Sequence, residues 1–145
     1  MDATQTILVV EDSDEQFTAV LRAFEKAEVV NPVVRCTDGD EALEFLSRAG
    51  RFGAAPAPAV VLLDLNLPGT DGRDVLASIK ADPELRRIPV VILTTSASPG
   101  DIQLCYRQGA SSYIIKPIRF DEFLKKVKAL KAYWFETVSL PTNSI

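Results

Sequence analysis

Five short apolar runs (residues 7–10, 33–36, 60–63, 90–93 and 113–115) recur along the chain, each followed by a stretch of helical periodicity. This alternation constrains the fold more than any other feature. The third and fourth runs carry no polar residue, the pattern of strands covered on both faces, and strands alternating with helices imply a parallel sheet. Between them, Phe17, Val20, Leu21 and Phe24 fall three, four and seven residues apart, as do Ala42, Phe45, Leu46 and Ala49, and Ile102, Cys105, Tyr106 and Gly109. A third helix is expected over 71–81, apolar at Val75, Leu76 and Ile79. The last carries Phe120, Phe123, Leu124, Val127, Leu130 and Trp134 on one stripe. The order Ser98, Pro99, Gly100, Asp101 places a cap, a first-turn proline and an early acid as a helix start requires. The fold predicted is α/β, five βα units in succession.

A chain of 145 residues accommodates one such domain, and with 47% hydrophobic residues it can bury a core without disulfide or metal staples. The domain is expected over 1–136. Residues 50–58 read as a plain connection, and 137–145 as a tail that could serve as a dimer or docking arm. Sixteen basic against twenty acidic residues leave a net charge of −4, which argues against nucleic acid or an anionic membrane as partner. No histidine occurs, so histidine-dependent triads and histidine-ligated zinc are excluded. Cys36 and Cys105 read as reduced core residues. No basic stretch leads into an apolar one at the N-terminus, and the longest apolar run is too short to span a bilayer; a cytoplasmic location is expected.

Ligands of open parallel sheets bind at the carboxyl ends of the strands. Glu11 and Asp12 follow the first strand, Asp64 the third, Thr94 ends the fourth and Lys116 the fifth. They share one rim only if the first and third strands are neighbours, which periodicity does not establish. Three carboxylates ~4 Å apart would repel by about 4 kcal/mol per pair at an effective dielectric near 20. One would then take a proton, unless a hard divalent cation intervened. Mg²⁺ fits that need: Asp12 and Asp64 suit direct ligation, Glu11 ligation through water, and the Asn66 carbonyl could add another oxygen. An aspartate beside such a cation can act as a nucleophile toward a phosphoryl group, with Lys116 and Thr94 neutralising or bonding the transferring oxygens. Asp64, central in the sheet, is the natural candidate.

The motifs VVED before the first helix, LLDLNLPGTDG around Asp64, VVILTTS around Thr94 and GASSYIIKP around Lys116 resemble those of the receiver domains of two-component response regulators, of the chemotaxis type. The resemblance covers about residues 5–135, and the spacings, 30 residues from Asp64 to Thr94 and 22 to Lys116, match that family. It implies a flavodoxin-like three-layer sandwich with strand order 2-1-3-4-5 and Mg²⁺ as cofactor. Glu11 and Asp12 become the acidic pair, Asp64 the phosphoacceptor, Thr94 the switch hydroxyl, Tyr113 the switch aromatic and Lys116 the conserved-type lysine. Pro117 would follow a cis bond. Glu11 departs from the pattern, since many relatives carry aspartate there, and its longer side chain favours contact with a metal through water. The segment DLNLPGTDGR, the pair Cys105-Tyr106 and the ending YWFETVSLP further resemble single-domain regulators that partner phytochrome-type histidine kinases.

The resulting expectation is a single-domain response regulator that takes a phosphoryl group from a kinase phosphohistidine and changes its protein-interaction surface. It would catalyse only its own phosphotransfer and dephosphorylation, without being an enzyme that turns over a metabolite. The alternatives are a flavodoxin-like cofactor binder and a receiver that is never phosphorylated. A flavin phosphate would need a Ser/Thr/Gly-rich loop after the first strand, where Glu11 and Asp12 stand. Asp38, Asp40 and Asp71, beside glycines at helix starts, read as caps. The lysines of the last helix read as a solvated face. Tyr133, Trp134 and Phe135 cannot all face one core, because helix neighbours point about 100° apart; with Val138 and Leu140 they suggest a homodimer surface.

Overall fold

In a computed structural model the protein forms β1 (Ile7–Val10), α1 (Asp14–Lys26), β2 (Val33–Cys36), α2 (Gly39–Ser47), β3 (Val60–Leu63), α3 (Gly72–Ala81), β4 (Val90–Thr94), α4 (Pro99–Arg107), β5 (Ser112–Ile115) and α5 (Phe120–Leu130). The structure describes residues 1–141 and, at Arg51, the backbone alone. Residues 142–145 of the expected tail lie outside the described residues. The five strands are parallel in the order β2-β1-β3-β4-β5, so β1 and β3 are neighbours, with Val10 in register with Leu63.

Alternation along each strand sorts the core into two layers. Leu8, Val10, Val61, Leu63 and Ile92 face Ala42, Phe45, Val75, Leu76, Ile79 and Cys105 of α2, α3 and α4. Ile7, Val9, Val60, Leu62, Val91 and Leu93 face Val20, Ala23, Phe24, Phe123, Val127 and Leu130 of α1 and α5. Both faces of the sheet are therefore covered, which is why β3 and β4 contain only fully buried side chains. Each such Val, Leu or Ile contributes about 1.5–3 kcal/mol. With its apolar faces spent on packing, the sheet offers chemistry only at the ends of its strands.

Local capping agrees with the sequence. Ser13, Asp38, Asp71 and Ser98 accept backbone N–H bonds from Gln16, Glu41, Arg73 and Asp101 and open α1 to α4. Asp40 does not cap. Its carboxylate accepts the Thr70 hydroxyl, pinning the loop that leads from β3 into α3.

Several boundaries differ from expectation. Ala49 falls outside α2, because Arg48 adopts a left-handed conformation (φ 58°) that ends the helix. Residues 50–58 include a 3₁₀ turn, Gly50–Phe52, that seats Phe52 edge-on against Phe45. Tyr106 is half exposed, and Cys105 alone buries its side chain from α4, which makes this helix the most lightly held of the five. The Lys116–Pro117 bond is trans, the lower-energy isomer, where a cis bond had been expected.

The stripe of α5 does not run unbroken to Trp134. From Lys131 to Thr137 the chain widens into a π-helix, which shifts the inward position by one residue: Phe135 is buried, Trp134 half-buried and Tyr133 exposed. The Met1 amino group donates to the Phe135 carbonyl at 2.6 Å and the Thr137 hydroxyl to the Ala132 carbonyl, tying this segment down. Two lysines of this region are more than a solvated face: Lys126 donates to the Ile115 carbonyl and Lys131 to that of Ala27, both at 2.9 Å. Among the described residues no helix is long and apolar enough to cross a membrane.

Candidate functional site

The parallel register carries the ends of β1, β3, β4 and β5 to one rim. There the side chains turn from aliphatic to polar within a single residue: Val10 to Glu11, Leu63 to Asp64, Leu93 to Thr94 and Ile115 to Lys116. Glu11, Asp64 and Thr94 are the buried polar side chains at this rim, while Asp12 is exposed beside them. Carboxylate oxygens of Glu11, Asp12 and Asp64 lie within 4.8 Å of one another.

Asp64 is held from three sides. Its Oδ1 accepts the Thr94 hydroxyl at 2.8 Å and the Asn66 backbone N–H at 3.2 Å. Its Oδ2 lies 3.3 Å from Lys116 Nζ. Lys116 also donates to Gln16 Oε1 at 2.7 Å and to Glu11 Oε1, and Glu11 Oε2 accepts the Ser13 N–H at 3.2 Å. The lysine is thus pinned between two buried acids and a glutamine from α1. Burial pushes the Glu11 carboxyl above its ordinary range; Lys116 opposes the rise and the charge of Asp64 adds to it.

Three carboxylates against one ammonium leave an excess of negative charge in a largely dehydrated corner, and the donor set is all oxygen. Both properties fit a hard divalent cation of the Mg²⁺ type. A phosphate-first ligand such as a flavin nucleotide would meet Glu11 and Asp12 at the loop after β1, and they would repel it.

The candidate site residues Glu11, Asp12, Asp64, Thr94 and Lys116 meet at this rim, with Asn66 and Tyr113 beside it. Asn66 is exposed on the loop after Asp64, its amide bonded to the carboxylate as described. Tyr113, in the edge strand β5, is half-buried and donates its hydroxyl to the Ser96 carbonyl at 2.9 Å; burial raises its phenol above the ordinary value. Sequence reasoning missed Gln16, whose amide meets Lys116 from a helix 100 residues away in sequence. It also missed Arg35, whose Nε holds the Glu11 carbonyl at 3.0 Å while its guanidinium stacks on Phe17. The signal for Arg35 was a charge standing inside an otherwise apolar strand.

Gly72, the first residue of α3, brings that helix hard against the end of β3. Its N–H donates to the Leu65 carbonyl at 2.9 Å, and a Cβ there would lie 2.2 Å from the Asp64 carbonyl oxygen. The start of α3 is therefore held against the main chain at Asp64 and Leu65.

Comparison with known proteins agrees with the geometry. The model of the response regulator receiver domain family matches residues 7–128. The chain is 39% identical over 137 residues to the response regulator Rcp1 of Synechocystis sp., covering 94% of this chain and 93% of that protein. The phosphorylated cyanobacterial phytochrome response regulator RcpA superimposes with a TM-score of 0.92 at 39% identity, over 97% of this chain and 100% of its own. The Mn²⁺-bound form of Rcp1 gives a TM-score of 0.90 at 38% identity, over 95% and 99% of the two chains.

Proposed function

The chain belongs to the response regulator receiver family, and on that premise we propose that Asp64 is the residue that takes up the phosphoryl group of its two-component phosphorelay. The observation that carries this assignment is the asymmetric holding of Asp64. One oxygen is bonded by Thr94 and Asn66 and the other faces Lys116, so the carboxylate is fixed in orientation at the mouth of the acidic cluster. Of the three acids it alone ends a central strand.

The partner is a histidine kinase. In the transfer, an Asp64 oxygen forms a bond to phosphorus as the bond from phosphorus to the kinase imidazole nitrogen breaks, its electron pair leaving with that nitrogen. Lys116 offsets charge on the phosphoryl oxygens, and Thr94 turns its hydroxyl from Asp64 Oδ1 to one of them. Asp12 and Asp64, with Glu11 and the Asn66 carbonyl, would hold Mg²⁺, which supplies Lewis-acid neutralisation of the phosphoryl charge when bound. Tyr113 follows Thr94 through Ser96, whose carbonyl accepts its hydroxyl, and the face formed by α4, β5 and α5 changes with it. The chemistry is confined to the protein's own phosphorylation and dephosphorylation, without turnover on a metabolite.

The kinase is of the phytochrome type in this reading, supported by the name of the similar phytochrome response regulator RcpA, and it meets the receiver in the cytoplasm. A groove between α1 and the start of α5, lined by Gln16, Ala19, Lys116, Pro117, Phe120 and Phe123, with Ile118 fully exposed on its edge, suits a kinase helix delivering the phosphohistidine beside Asp64. The domain extends over 1–136, and the segment from 137 onward acts with the π-helix as a homodimer surface. Support comes from exposed Tyr133, half-buried Trp134, Val138 and Leu140, and the shallow groove that Tyr133 and Trp134 share with the β5 edge.

Incubation with acetyl phosphate and Mg²⁺ followed by intact mass tests the assignment. The parent chain gains one phosphoryl group and Asp64→Asn gains none; uptake by Asp64→Asn would overturn it.

A further inference from the structure

Arg73 is the second residue of α3, where a cation opposes the positive end of the helix dipole and local preference calls for an acid. A residue that breaks a local rule is held there by something outside its own helix. Its Nε and Nη2 donate in parallel to Asp101 Oδ1 and Oδ2, each at 2.9 Å, and Asp101 sits in the first turn of α4. Nη1 returns to the capping Asp71 at 3.0 Å. The planar fork of arginine matches a carboxylate in this way and lysine does not. The pair joins the starts of two helices 28 residues apart in sequence.

The pairing continues inward. Asp101 Oδ2 accepts the Ser96 hydroxyl at 2.6 Å, and the Ser96 carbonyl accepts the Tyr113 hydroxyl at 2.9 Å. The Ser96 N–H points to Thr94 Oγ1 at 3.5 Å, and that hydroxyl donates to Asp64. Gly72 bonds the Leu65 carbonyl next to Asp64 and so closes a ring: Asp64, Thr94, Ser96, Asp101, Arg73, α3 and back to the β3 end. Arg73 and the Ser96 hydroxyl together hold the Asp101 carboxyl below the usual aspartate range, as a firmly engaged acceptor requires. Among the described residues α4 buries Cys105 alone, and besides the Ser98 cap its start is held by these contacts.

We propose that Arg73 and Asp101 are positioning residues for phosphotransfer: their fork clamps the loop between β4 and α4 to the start of α3, holding Ser96 so that Thr94 stays aligned on Asp64 and Tyr113 stays inward. This inference rests on Asp64 being the phosphoacceptor. The clamp acts through Ser96, and neither charged residue touches the reacting atoms.

The test compares the rate of aspartyl-phosphate formation from acetyl phosphate in the parent chain, Arg73→Lys, Asp101→Asn, Ser96→Ala and the Asp101→Asn/Ser96→Ala double variant. Asp101→Asn and Ser96→Ala each slow the reaction by about three- to tenfold, and the double variant is no slower than the slower single, because both cut the same link. Arg73→Lys, which keeps the charge and loses the fork, slows it by about two- to threefold. Fluorotyrosine labelling supplies a readout that simple loss of stability would not move: the Tyr113 fluorine resonance, assigned with Tyr113→Phe, shifts in Ser96→Ala while urea unfolding shows that variant folded. Rates within a factor of about 1.5 of the parent, multiplicative losses in the double variant, or an unmoved Tyr113 resonance would overturn the clamp. A parent chain that takes up no phosphoryl group refutes the assignment of Asp64 itself, whereas a reactive parent with equally reactive variants refutes the clamp alone.

Discussion

Replacing Gly72 with alanine should damage stability and phosphotransfer together, through one displacement. The added Cβ would stand 2.2 Å from the Asp64 carbonyl oxygen and 2.5 Å from Leu65 Cα, both main-chain atoms that no rotamer change can move. Relief to a 3.4 Å contact requires α3 to back away by about 1.2 Å. That shift breaks the Gly72 N–H to Leu65 carbonyl bond, a loss of about 0.5–1.5 kcal/mol. Overpacking adds about 1–3 kcal/mol, giving a destabilisation of about 1.5–4.5 kcal/mol. A misplacement of about 1 Å at a reacting group slows chemistry by up to ~10²-fold. Equilibrium urea unfolding measures the first effect and uptake of phosphoryl from acetyl phosphate the second. Gly100→Ala is the control. It too lies in the first turn of a helix, but its Cβ would meet only Ser98 Oγ at an ordinary 3.6 Å, so the change should be neutral or gain up to about 1 kcal/mol. Equal stability and equal rates for the two variants would refute the close approach of α3 to Asp64.

Lys116→Met leaves Glu11 and Asp64 without their cation. The side chains of Lys116 and Glu11 are 8% and 3% exposed, so the loss is about 2–4 kcal/mol, moderated because Glu11 takes up a proton more readily. Urea unfolding should show it, with Mg²⁺ restoring part of the difference. The Asp101 carboxyl has its value lowered by Arg73 and Ser96, so its contribution is complete above the ordinary aspartate value of about 3.9 and is lost as pH falls through the lower folded value. The stability gap between the parent and Asp101→Asn should accordingly be constant from pH 7 to 5 and shrink below about pH 4; a gap that widens on acidification would contradict the sign. Tyr133→Ser with Trp134→Ser should leave the domain folded by circular dichroism and reduce self-association in sedimentation velocity; unchanged association would remove this face from the dimer.

The strands and their order of burial were readable because both faces of the sheet are covered, so β1, β3 and β4 admit no polar residue until they end. The same property exposed most of the site. A side chain such as Asp64 or Thr94 at the end of a buried run has no packing role to explain it, and Lys116 closes a strand that is half-buried throughout. Placing the strands side by side needed the family resemblance, since no local pattern says that β1 pairs with β3. The end of α5 was not legible. A π-helix over 131–137 depends on partners brought from elsewhere, the Met1 amino group among them, while the sequence continues a regular stripe toward Trp134. Arg73 and Asp101 were hidden for a related reason. Each looks like an ordinary charge in a first helical turn, and only the tertiary fold sets one against the other. Gln16 likewise stands on the half-exposed side of α1 until β5 delivers Lys116 to it.

On the proposed assignment the carboxylate at position 64, and neither of the two acids beside it, carries the phosphoryl group. Borohydride reduction of the acetyl-phosphate-treated chain converts an aspartyl phosphate to homoserine, which peptide mass spectrometry locates by residue. Homoserine is expected at position 64 alone, dependent on Mg²⁺ during the labelling. Conversion at position 12, or reduction of Glu11 in its place, would contradict it.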